Sequence, residues 1–205
     1  MKDPGNLVTI DLLRHGEVEG GARYCGSTDP KLTDQGWEQL WQAVSLLPDW
    51  DYIVSSPLHR CAEFAQVLGV QRKIPFITDS RLSEIDFGDW ERKTATELFK
   101  AEPDAVTAYW SDPVKNSPPG GEPLERFNNR VIKAYVDLVE QFPQQHLLLV
   151  THAGVMRNIL CHALTMPLQS LFRLEVPYAC LSRVKVYVDN NGQHTSNLVF
   201  HAGRL

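Results

Sequence analysis

Twice in this chain an apolar run of strand character hands over directly to a histidine beside a glycine. In the first, Val8, Thr9, Ile10, Leu12 and Leu13 lead into Arg14-His15-Gly16-Glu17; in the second, His146-Leu147-Leu148-Leu149-Val150 leads into Thr151-His152-Ala153-Gly154. Such β-branched and aliphatic runs read as buried strands, and the second, the most hydrophobic in the chain, belongs near the middle of a parallel-type sheet. Val155, Ile159 and Leu160 then carry the chain into a helix. In open α/β sheets ligands collect at the C-terminal ends of strands, where loops and helix N-termini meet without disturbing the core. Two histidines at equivalent strand ends point to one shared site, and an arginine and histidine followed by Gly16 suit an anion that approaches the backbone closely.

The sequence between and after these runs supplies the rest of an α/β fold. Thr33 is placed to cap a helix with an apolar face of Trp37, Leu40, Trp41, Val44 and Leu47. Tyr52-Ile53-Val54 is a short strand, and Ser55-Ser56-Pro57 reads as the cap and first-turn proline of a helix buried through Leu58, Cys61, Phe64, Ala65 and Leu68. Arg60 falls in that first turn, where free N–H groups and the helix dipole favour an anion. Ile74-Pro75-Phe76-Ile77 suits an edge strand. Leu124, Phe127, Val131, Ala134, Tyr135, Leu138 and Val139 form one stripe of a long helix, and Arg183–Val188 turns through Asp189-Asn190-Asn191-Gly192 into Asn197–Phe200 as a hairpin. Two segments break the pattern. The glycine-rich loop 17–31 is too long for a simple turn, and Tyr24 within it suggests a cover. Residues of about 85–123 form an excursion: a short helical stretch with Leu98, Phe99, Val106, Tyr109 and Trp110, then a proline and glycine cluster that serves as a connection over the sheet edge. A length of 205 residues fits one domain, 1–205, with this excursion as its cap.

Charge and cysteines narrow the function. Twenty basic against twenty-five acidic residues argue against a nucleic acid wrapped over a broad surface, but allow a small anion at one site. Met1–Asn6 lacks an apolar signal core and no run has the length of a membrane span, so a cytoplasmic protein without a membrane partner is expected. Cys25, Cys61, Cys161 and Cys180 are scattered without zinc spacing, which suits reduced packing residues.

Arg14, His15, Arg60 and His152 are four potentially cationic groups for one sheet edge. Leu82-Ser83-Glu84-Ile85-Asp86-Phe87-Gly88-Asp89-Trp90-Glu91 sets four carboxylates among large apolar side chains. Most such acids face water, but partial burial raises a carboxyl pKa, as a general acid near neutrality requires. A phosphomonoester dianion repels nucleophiles. Its transfer needs positive charge around the non-bridging oxygens, an in-line nucleophile and a proton for the leaving alkoxide, and a neutral histidine can be that nucleophile. No HExxH pattern, clustered metal ligands or P-loop suggests another route, and no cofactor is implied.

Five blocks resemble the histidine phosphatases, in the branch that includes phosphoglycerate mutases: Leu13-Arg14-His15-Gly16-Glu17, Ser55-Ser56-Pro57-Leu58-His59-Arg60-Cys61-Ala62, Leu82-Ser83-Glu84 with Phe87-Gly88-Asp89-Trp90-Glu91, Pro119-Gly120-Gly121-Glu122, and Thr151-His152-Ala153-Gly154. The resemblance implies a three-layer α/β sandwich with a mixed, mostly parallel sheet and helices on both faces. It implies a catalytic set of His15, Glu84 and His152, in which His15 is phosphorylated and Glu84 protonates the leaving group and then activates water, and a phosphate pocket of Arg14, Gly16, Arg60 and His152. Tyr24, Gly120, Gly121 and Glu122 are the implied substrate loop. Two positions depart from the pattern: Val18 and Gly21 stand where many members carry threonine and asparagine, so one phosphate-side donor is either missing or supplied from elsewhere, with a backbone N–H of Gly20-Gly21 as the candidate. Tyr24-Cys25-Gly26, Asp29, Leu32-Thr33 and the Gly120-Gly121-Glu122 loop are most similar to α-ribazole phosphatases of cobalamin synthesis.

The resulting expectation is a metal-independent phosphomonoesterase acting on a small phosphorylated metabolite as a monomer or homodimer. A phosphoglycerate mutase and a phosphate-binding protein with an impaired site are the alternatives.

Overall fold

Strands β1 (Leu7–Arg14) and β4 (His146–Thr151) run parallel and adjacent, with Arg14 opposite Thr151. This register alone brings the two histidine turns together. The protein is described by a computed structural model covering residues 7–45, 47 and 50–202; Met1–Asn6, read above as lacking a signal core, lie outside the described residues. β2 (Tyr52–Ser55) and β3 (Phe76–Thr78) extend the parallel half beyond β4, and β5 (Leu181–Val188) and β6 (His194–His201) add an antiparallel ribbon beyond β1. The six-stranded order is β3-β2-β4-β1-β5-β6. This is the mixed, mostly parallel α/β sheet that the resemblance implied.

Alternation along the central strands divides the core between two faces. Ile10, Leu12, Leu147 and Leu149 pack under α5 (Leu124–Gln141) and α6 (Ala153–Ala163). Leu13, Leu148 and Val150 pack on the opposite face under α1 (Asp34–Val44) and α2 (His59–Arg72). All seven stripe residues of α5 are buried. Trp37 and Trp41 of α1 set their rings against Phe64, a packing role. The excursion holds two helices rather than one, α3 (Ala95–Ala101) and α4 (Pro103–Ser111), because Pro103 cannot continue α3 and starts α4 instead. They close a third cluster of Trp90, Leu98, Val106 and Tyr109 against Tyr24, Phe87 and Phe172. No helix of the described residues is long and apolar enough to cross a membrane.

Two features were not apparent in the sequence. Asp11, in the middle of the β1 apolar run, is fully buried and accepts hydrogen bonds from Trp50 Nε1 (2.8 Å), His146 Nε2 (3.0 Å) and Arg183 Nε (2.6 Å). Burial pushes its pKa up, but the hydrogen bonds led by Arg183 outweigh that and hold it below the ordinary value. The other is the start of α2, which begins at His59 without a side-chain cap of its own; Ser55-Ser56-Pro57 lies ahead of the helix rather than in its first turn. The cap comes from Asp29, thirty residues earlier, whose carboxylate accepts from the His59 N–H at 2.8 Å.

Gly16 has a packing reason. A Cβ there would lie 2.1 Å from the Gly36 carbonyl oxygen, and a Cβ at Gly36 would lie 2.1 Å from the Glu17 carbonyl oxygen, so the turn after His15 rests directly on α1. Glycine-to-alanine changes inside helices ordinarily stabilise by up to about 1 kcal/mol. Gly36→Ala is expected to reverse that sign, destabilising by about 2 kcal/mol through backbone overpacking, as read by urea unfolding.

Candidate active site

The site is built on the backbone ends of β1 and β4. The His15 N–H donates to the Thr151 carbonyl (2.9 Å), and the His15 carbonyl accepts from the Ala179 N–H (3.1 Å). Between these anchors the His15 side chain is 6% exposed, and its Nδ1 lies 2.8 Å from the Gly16 carbonyl oxygen. A carbonyl can only accept, so Nδ1 carries the proton and Nε2 keeps its lone pair. Burial, then the charges of Arg14 and Arg60, hold the His15 pKa well below the ordinary value, with only the Gly16 bond opposing. His15 is a neutral imidazole with a free Nε2.

Arg14 lies beside it on the pocket wall. One terminal nitrogen donates to the Val176 carbonyl at 2.7 Å, the guanidinium lies 4.2 Å from the Tyr178 ring centroid, and its buried Nε has no hydrogen-bond partner. That Nε is sealed from solvent, so a ligand would meet the guanidinium at its terminal nitrogens.

His152 and Arg60 occupy a layer behind the wall. His152 is fully buried, with its ring 5.3 Å from that of His15. Arg60 Nε donates to His152 Nδ1 (3.3 Å), so the His152 proton is on Nε2, which donates to Ser56 Oγ (2.8 Å). Burial first, and the Arg60 charge second, keep this imidazole neutral as well. The rest of the Arg60 fork is taken up by loop 17–31: its terminal nitrogens donate to the carbonyls of Thr28 (2.8 Å), Cys25 (3.0 Å) and Gly26 (3.1 Å) and meet Asp29 at 3.3 Å. The anion expected at the start of α2 is therefore Asp29, a protein carboxylate.

Glu84 faces the pocket from the loop after β3. Its Oε2 accepts from the Gly154 N–H at 3.0 Å, and its Oε1 accepts from the Ile85 N–H at 3.1 Å. Gly154 must lack a side chain here, since a Cβ would lie 2.2 Å from Glu84 Oε1. The Glu84 segment is held from below by Arg130, which donates to the carbonyls of Arg81 (2.8 Å), Ser83 (2.7 Å) and Glu84 (3.0 Å) and pairs with Glu122 at 2.8 Å.

The pocket lies between these walls and the excursion, with a volume of about 160 Å³. Arg14, His15, Glu84 and Tyr24 line it, with Tyr109, Trp110 and Phe172 on the excursion side. Besides Arg60 and His152, whose burial in the layer behind takes them off the wall, four further expected ligands are not on it. Gly16 packs on α1, as shown above. Gly120, Gly121 and Glu122 act as scaffold: the Glu122 N–H donates to the Asp86 carbonyl (2.8 Å), its carboxylate serves Arg130, and a Cβ on Gly121 would lie 2.7 Å from the Asp86 carbonyl oxygen. Val18 is buried and bridges to Leu32, while the Gly21 N–H donates to the Val18 carbonyl (3.4 Å) and so does not replace the missing donor.

Sequence reasoning missed Arg157, Tyr178 and Glu91. Arg157 and Tyr178 line the pocket. The Glu91 carboxylate accepts from the N–H groups of Gly26, Ser27, Thr28 and Phe87, fastening loop 17–31 to the excursion. The available signals were a lone arginine in the otherwise apolar start of α6 and a carboxylate directly after Trp90. Among the described residues, no three His, Cys, Asp or Glu side chains converge as a metal site would require.

A family model of the histidine phosphatase superfamily, branch 1, matches residues 10–198. The chain belongs to that family. This histidine phosphatase is 30% identical over 180 residues to the adenosylcobalamin/alpha-ribazole phosphatase of Salmonella typhimurium, covering 85% of this chain and 89% of that protein. It is 32% identical over 170 residues to the glucosyl-3-phosphoglycerate phosphatase of Mycolicibacterium vanbaalenii, covering 78% and 75%. The solved structure of Bacillus stearothermophilus YhfR superposes with a TM-score of 0.83 at 27% identity, covering 94% of this chain and 95% of that one.

The buried neutral imidazoles make stability depend on pH. In the unfolded chain both histidines titrate near 6.5, whereas in the folded protein they titrate well below it. Between those values the unfolded state binds more protons, so stability falls as pH drops through 6.5. Urea unfolding from pH 7.5 to 5.5 should show a loss of about 1 kcal/mol per histidine for each pH unit below 6.5. His152→Gln should reduce that slope by about one proton, and an unchanged slope would place the titration elsewhere.

Proposed function

We propose that this phosphatase is a metal-independent phosphomonoesterase that works through a phosphohistidine at His15 on a small phosphorylated metabolite. The observation that carries the reading is the His15 tautomer: the Gly16 carbonyl holds the proton on Nδ1 and leaves Nε2 as a neutral nucleophile between Arg14 and Glu84. In the first step Nε2 attacks phosphorus, the bond from phosphorus to the ester oxygen breaks, and protonated Glu84 gives its proton to the departing alkoxide. In the second, the Glu84 carboxylate takes a proton from water as the water oxygen bonds to phosphorus. The phosphorus–nitrogen bond then breaks and inorganic phosphate leaves. Arg14, on the pocket wall, offsets the charge of the phosphoryl oxygens. His152 and Arg60 hold His15 and loop 17–31 from behind.

Two substrates named for relatives, α-ribazole 5′-phosphate and glucosyl-3-phosphoglycerate, head the candidates, and sequence pattern favours the first. The test is turnover with ³²P-labelled phosphomonoester and chelator present, quenched in base. Label is expected on the protein, with only free phosphate as product, and neither in His15→Ala. Turnover without label on wild-type protein would contradict the phosphohistidine, and an isomerised phosphoester would favour a mutase.

A further inference from the structure

Arg157 is a second cation in the pocket that the steps above leave unused. It follows Gly154 by one turn of α6, between the Gly154–Glu84 contact and the excursion rings, with its guanidinium carbon 5.9 Å from the Phe172 ring centroid. Phe172 in turn stacks on Trp110 at 4.2 Å. Arg157 therefore stands on the side of Glu84 where the leaving group must lie. Its Nε is fixed by a 2.9 Å bond to the Leu174 carbonyl, so the guanidinium plane is held in place. Its two terminal nitrogens donate to no protein group among the described residues, and no carboxylate there comes within ion-pair distance. Burial lowers its pKa, opposed chiefly by the more distant charge of Glu84. A brace for the Leu174 carbonyl needs one N–H; the remaining pair is a preorganised fork facing the pocket, whose match is a planar anion with two acceptor oxygens.

We infer that Arg157 is a specificity-determining residue, and that its fork pairs with a carboxylate on the leaving part of the substrate. This rests on the phosphomonoesterase reading for its orientation: phosphate at His15 and Arg14, leaving group toward Glu84 and Arg157. It places the physiological substrate among phosphate esters of hydroxy acids or their conjugates rather than among esters of neutral alcohols, and so, against the sequence pattern, ranks glucosyl-3-phosphoglycerate ahead of α-ribazole 5′-phosphate. The apolar rings of Tyr109, Trp110 and Phe172 then cover the leaving group without competing for its charge.

The test uses non-hydrolysable probes, so that it is independent of turnover. Calorimetry would compare 3- and 4-carboxybenzylphosphonate with the matching carbamoylbenzylphosphonates, which keep size and shape but lack the charge. For at least one isomer the carboxylate is expected to bind wild-type protein about tenfold or more tighter than its amide. Arg157→Gln should bring that ratio close to one and Arg157→Lys should restore part of it, with thermal melting confirming that each variant is folded. A ratio near one in wild-type protein, or one that survives Arg157→Gln, overturns the inference, as does failure to bind any of the phosphonates. Equal binding together with His15-dependent hydrolysis of phenyl phosphate would remove the carboxylate subsite and leave the phosphatase. A carboxylate preference without any hydrolysis would do the reverse.

Discussion

The hydrogen bond from His15 Nδ1 to the Gly16 carbonyl, 2.8 Å long and shielded from water, is what the proposed chemistry depends on. An imidazole has one basic nitrogen to offer when neutral, and the partner of the other nitrogen decides which it is. Here the partner is the adjacent backbone, so the direction of that carbonyl decides which nitrogen can act. The carbonyl is fixed in turn by the close approach of Gly16 to Gly36 on α1, and the β1–β4 pairing fixes the position of His15 itself. A chain of backbone contacts thus runs from sheet to helix to tautomer, with no flexible side chain in it.

The charged groups divide into two layers with different work. Arg14 and Arg157 line the pocket, and the protein takes up only part of each guanidinium. Arg60 and Glu91 are saturated by the protein: one fork holds the carbonyls of residues 25, 26 and 28 and one carboxylate holds the N–H groups of residues 26–28, so opposite sides of the same loop backbone are gripped by opposite charges. Charge-assisted bonds of this kind fix a loop that has little apolar surface to bury. Tyr24 is carried on that loop, and its ring packs on Phe87 and Trp90, joining the loop to the excursion. The pocket wall therefore backs onto a loop fixed by charge-assisted bonds on one side and is lined by aromatic rings on the other.

Much of this was legible in the sequence because it follows from periodicity. The apolar runs before His15 and His152, and the α5 stripe, place strands and helix almost to the residue, and parallel pairing then forces the two histidine turns together. Glu84 was identifiable through the resemblance of its block. What escaped is what depends on partners distant in sequence. Nothing near Arg60 shows that the carbonyls of residues 25, 26 and 28 will take its donors, or that Asp29 will cap its helix. The resemblance implied a substrate loop at Gly120-Gly121-Glu122; the Glu122 carboxylate pairs instead with Arg130, which supports Glu84. Asp11 shows the same limit, since a carboxylate inside an apolar run makes sense only once Arg183, from the far end of the chain, lies beside it.

The central claim is that the Gly16 carbonyl selects Nε2 of His15 as the nucleophile. ¹⁵N–³¹P NMR of the trapped phosphoenzyme, prepared with ¹⁵N-labelled histidine and kept at alkaline pH, reads the phosphorylated nitrogen directly. Phosphorus bonded to Nε2 of His15 is the expected result. Phosphorus on Nδ1, or on a different histidine, would contradict it.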